Sequence, residues 1–75
     1  MYYLVNVANY TGNSFGTTIY GKTLESAVKK AARHLVRPKD QRTMRIEPTD
    51  NPSLWHVYDR DNYAGDVTIL MKQEA

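Results

Sequence analysis

Apolar and polar residues alternate along the first ten positions, MYYLVNVANY. This period of two, in β-branched and aromatic residues, predicts a strand over Tyr2 to Tyr10. Tyr3, Val5 and Val7 are expected on the core side, and Tyr2, Leu4, Asn6 and Tyr10 on the other. TGNSFG supplies Gly and Asn for a turn, and TTIYG reads as the second strand of a hairpin. The period then changes. Leu24, Ala27, Val28, Ala31 and Leu35 recur at helical spacing, Thr23 is placed to cap the helix, and Pro38 to stop it. RTMRIEP, SLWHVYD and DVTILMK follow as three more strands, separated by TDNP and DRDNYAG. In these strands Met44 and Ile46 share one face, as do Trp55 and Val57, and Val67, Ile69 and Met71.

The expected order is therefore ββαβββ. It predicts an α+β fold: an antiparallel five-stranded sheet with one helix on one face, in a single compact domain over residues 1–75. A domain this small buries only about 60% of its unfolded surface, so its core is thin. One helix cannot cover both sheet faces. Tyr2, Leu4, Tyr10, His56, Tyr58 and Leu70 are the candidates for the uncovered face, as a contact surface or as tyrosines that simply reach water.

Charge sharpens this outline. The net charge is only +2, but it is unevenly spread. Lys22 to Arg42 holds seven basic and two acidic residues, while the remainder is net acidic. On a helical projection Lys29, Lys30, Arg33 and Arg37 fall about 140° to 240° from Leu24, opposite the apolar stripe. Glu25 to Lys29 is the only favourable i,i+4 pair among them. Such a face is either solvated or meets a polyanionic or acidic partner.

No catalytic motif is present. His34 and His56 lie on different elements, and no ligand spacing suggests a metal site. Asp59 to Asp66 has the acidic character of a calcium loop, but its Gly65 is one position late and Leu70 stands where the bidentate Glu belongs. Neither an enzyme nor a cofactor is expected. The chain has no cysteine, no apolar stretch long enough for a membrane span, and no basic-then-apolar start. These features suit a cytoplasmic protein.

Four segments, YYLVNV, TLESAVKKAA, RTMRIE and SLWHVY, occur in this order. Together they resemble a small phage-encoded type I-F anti-CRISPR family with a five-stranded antiparallel sheet and one helix. The likeness covers about residues 2 to 60 and is most specific in RTMRIE and LWHVY. It implies an inhibitor in the host cell cytoplasm that binds the backbone subunit of a type I RNA-guided surveillance complex and blocks target DNA hybridisation. Non-specific binding of duplex DNA is also implied for some members. The implied partner-binding residues are Tyr3, Lys29 and Arg33, joined by Lys30 and Arg37 on chemistry. A monomer is expected. The alternative is a stand-alone nucleic-acid-binding protein that uses the basic helix face.

Overall fold

The computed structural model describes residues 1–73. Strand β1 (Tyr2–Asn9) follows its alternation: Tyr3, Val5 and Val7 are buried, and Tyr2 and Leu4 are exposed. The Asn9 side chain organises the turn that follows. Its Oδ1 accepts from the Thr11 N–H at 3.0 Å, the Thr11 hydroxyl at 2.7 Å and the Asn13 N–H at 3.0 Å. Gly12, at φ +96°, takes the left-handed step that an L side chain resists. Strand β2 (Ser14–Tyr20) then pairs antiparallel with β1.

Helix α1 (Leu24–Ala32) starts with a reciprocal cap. The Thr23 hydroxyl accepts from the Ser26 N–H at 3.1 Å, and Ser26 Oγ accepts from the Thr23 N–H at 3.2 Å. Ala27, Val28, Ala31 and Ala32 are buried, and three of these four are small enough to let the helix lie close to the sheet.

The helix is shorter than its hydrophobic period predicts. Arg33 is already its C-cap. The His34 N–H donates to the Ala31 carbonyl and the Leu35 N–H to the Ala32 carbonyl, so the chain tightens into i→i−3 bonds. This turn brings Val36 into the core at 6% exposure. Pro38 does not stop α1 but opens a short 3₁₀ helix, η1 (Pro38–Thr43), that the sequence pattern did not announce. Gln41 Nε2 donates back to the Arg33 and Val36 carbonyls, both at 3.3 Å, satisfying groups freed where α1 ends.

Strands β3 (Met44–Pro48), β4 (Leu54–Asp59) and β5 (Asn62–Gln73) form an antiparallel meander. DRDNYAG is mostly strand: the reversal needs only Arg60, at φ 58°, and Asp61. The sheet order is β2-β1-β5-β4-β3, so the first and last strands pair at its centre. The α+β architecture with one main helix on an open antiparallel five-stranded sheet is thus as expected.

Two irregularities in β5 change which residues face the core. Val57 pairs with Gly65 but Tyr58 with Tyr63, leaving Ala64 as an extra residue. Val5 pairs with Ile69 but Leu4 with Met71, leaving Leu70 extra. The second bulge breaks the expected inward series. Val67 is buried and Ile69 packs on the core, whereas Met71 joins Leu4 on the uncovered face at 59% exposure. Gly65 is required where β5 passes β1. Its φ is +150°, and a Cβ there would lie 2.1 Å from the Ala8 carbonyl oxygen.

Candidate functional site

The positive residues do not form one continuous stripe. Lys29 and Arg33 lie on the flank of α1 that looks toward η1 and β3. With Pro38, Gln41, Arg42 and Arg45 they line a groove of 490 Å³, floored by Met44 and Ile46. Three cations thus converge, Lys29 and Arg33 from the end of α1 and Arg42 from η1. Arg45 only borders the groove, because strand parity turns its side chain to the sheet face opposite Met44 and Ile46, against Tyr58.

Their partners differ. Lys29 Nζ lies 3.7 Å from Glu25, in a pair more than half exposed on both sides. Such a pair contributes about 0–1 kcal/mol and yields readily to a stronger anion. Arg45 is held more firmly. Its Nε donates to Glu47 at 2.7 Å, another guanidinium nitrogen donates to the Arg60 carbonyl, and its Cζ sits 4.6 Å from the Tyr58 ring centre. The Glu47 hydrogen bond, against a smaller effect of desolvation, raises the Arg45 pKa. Among the described residues no carboxylate lies within 4.0 Å of Arg33 or Arg42.

Three residues expected at the partner surface lie elsewhere. Lys30 turns to the opposite flank, where Nζ donates to the Tyr20 carbonyl at 2.8 Å and stands 5.7 Å from that ring's centre. Arg37 is off the helix altogether. It precedes η1, with Nε 3.4 Å from Asp40 Oδ2. Tyr3 is buried at 3% exposure, and its hydroxyl donates to Met1 Sδ at 3.4 Å. It is a core residue, as its place in the alternation requires, and offers almost no area to a partner. The helical projection missed Arg42 because it belongs to the next element; only the count of basic residues through Arg42 hinted at it.

A second groove, of 420 Å³, opens on the other side of η1. Tyr10, Phe15, His34, Arg37, Asp40 and Asp59 are among its lining residues. Phe15 and His34 meet edge-to-face with ring centres 5.3 Å apart.

The uncovered sheet face carries a polar cluster as well as its apolar residues. His56 Nδ1 lies 2.7 Å from Asp66 Oδ1, and the Tyr63 hydroxyl donates to the same oxygen at 2.6 Å. Desolvation first, then this hydrogen bond, pushes the Tyr63 pKa up to about 12. The cluster has no third metal-ligating partner: among the described residues no group of three or more His, Asp or Glu could hold a metal ion. Nor is any helix of the described residues long and apolar enough to cross a membrane.

No protein family, curated protein or solved structure matches the chain. What fold and site define is a class: a small α+β protein whose helix flank, 3₁₀ turn and edge strand together enclose a cationic groove.

Proposed function

We propose that this is a non-enzymatic binding protein that engages nucleic-acid phosphates through the Lys29–Arg33–Arg42 groove. The observation that carries the reading is the pair of guanidiniums, Arg33 and Arg42, that share this groove and have no carboxylate partner among the described residues. Counterion release on meeting a polyanion favours such a surface, and the apolar floor of Met44 and Ile46 weakens competition from water.

The likeness to type I-F anti-CRISPR proteins supports a narrower form of this reading. In that form the protein docks on the backbone subunit of an RNA-guided surveillance complex, where guide and target phosphates run, and obstructs hybridisation. Lys29 and Arg33 are common to both forms. The narrower form rests on the likeness and not on the groove.

Gel filtration with a purified type I surveillance complex tests it. The expected result is stoichiometric co-elution and loss of target DNA binding, both abolished by a Lys29→Glu, Arg33→Glu double variant. Binding to free nucleic acid without co-elution removes the inhibitor reading. Absence of both interactions at low salt removes the proposal entirely.

A further inference from the structure

The two grooves differ in chemistry although only η1 separates them. A 3₁₀ helix has three residues per turn, so side chains three positions apart project on the same side. Arg37 and Asp40 accordingly line the aromatic groove, and Pro38 and Gln41 line the cationic one. The partition is built into the local geometry of η1 together with its N-cap, Arg37.

The aromatic groove is unsuited to a phosphate. Its one guanidinium, Arg37, already faces Asp40, and Asp59 adds a second carboxylate. It is suited to a flat group with an apolar face and hydrogen-bond donors at its edge. Phe15, 45% exposed, offers a stacking surface beside Tyr10 and His34. Asp59 Oδ1 accepts from the Thr43 hydroxyl at 2.7 Å, and a carboxylate has acceptor capacity beyond that single bond. The volume of 420 Å³ falls within the range of about 300–1,000 Å³ found for small-molecule sites.

We infer that this groove seats an unpaired nucleobase bearing an exocyclic amino group, while the phosphates of the same single strand run through the cationic groove. The inference rests on the nucleic-acid reading above and gives it a substrate class: single strands in preference to duplexes. In a duplex the bases are stacked and paired, so none can enter the groove without being flipped out. A single strand has base faces free for aromatic side chains. The Asp59 carboxylate accepts from the cytosine amino group, whereas thymine presents a carbonyl at that position.

Fluorescence anisotropy at low salt with labelled oligo-deoxycytidine, oligo-thymidine and a duplex tests the inference. Oligo-deoxycytidine should bind most tightly, the duplex about tenfold more weakly, and oligo-thymidine in between. Phe15→Leu keeps an apolar residue on β2 but removes the ring. It should weaken single-strand binding about tenfold and leave duplex binding unchanged. Asp59→Asn, which places a donor in the groove, should narrow the gap between the two single strands. Equal affinity for all three nucleic acids overturns this inference and leaves the phosphate-binding proposal standing. No binding to any of them overturns both. The comparison among wild-type affinities depends on no variant, so a misfolded mutant cannot obscure it.

Discussion

Removing Arg33 and Arg42 together should cut the salt sensitivity of nucleic-acid binding to about a third. Each phosphate contact on a single strand lowers log K by about 0.7 for each unit of log salt. A fourfold rise in salt therefore costs about 2.6-fold per contact, and about 18-fold when all three groove cations engage. The double variant Arg33→Ala, Arg42→Ala leaves Lys29 alone, so the same rise should cost about 2.6-fold. These two are the informative pair because neither has a carboxylate within 4.0 Å among the described residues. Their loss leaves no acidic side chain unpaired, so the change reports on the partner and not on the fold. Lys30→Ala is the control. Its Nζ is engaged at the Tyr20 carbonyl on the other flank, so the slope should stay as in the wild type. Anisotropy titrations at four or more salt concentrations measure all three slopes. A slope unchanged in the double variant, or lowered equally by Lys30→Ala, refutes the assignment of phosphate contacts to this groove.

Other predictions concern the scaffold and the open face. Gly65→Ala should destabilise the protein severely, because φ +150° and a Cβ 2.1 Å from the Ala8 carbonyl oxygen cannot both be accommodated without parting β1 from β5; thermal melts that match wild type would contradict this. Thr23→Ala should cost about 1 kcal/mol in urea unfolding through loss of the N-terminal cap. Met71→Gln should change stability by no more than about 0.5 kcal/mol, while Val67→Ala should cost ~2 kcal/mol; a large loss in the first would place Met71 in the core and deny the Leu70 bulge. Tyr63 ionises near pH 12 in the folded chain and near 10 when unfolded, so folding favours its protonated form. That contribution is complete below pH ~10 and is lost as pH rises toward 12; phenolate absorbance should show a component near 12 that Tyr63→Phe removes.

The sequence by itself determined the elements whose signals are local. Alternation in YYLVNVAN assigned the inner and outer faces of β1 correctly because side-chain direction in a strand depends only on parity. Thr23 announced the helix start because capping involves residues three apart. The count of strands around a single helix carried the α+β class.

Tertiary structure decided what depends on residues distant in sequence. The pairing of β1 with β5 at the sheet centre and the bulge at Leu70 are set by register between the two ends of the chain, and one extra residue there moved Met71 to the opposite face. The end of α1 was decided by Val36 entering the core and by Gln41 binding the carbonyls of the C-cap Arg33 and of Val36, neither visible in a helical projection. The candidate site followed from that ending. Had the helix run to Pro38, Arg37 would have lain with Lys29, Lys30 and Arg33 on one outer face. Instead the chain turns, Lys30 goes to β2, Arg37 crosses to the aromatic groove, and Arg42 is brought to Lys29 and Arg33. Residue types carried the charge, but only the packing of three elements could gather it into a groove.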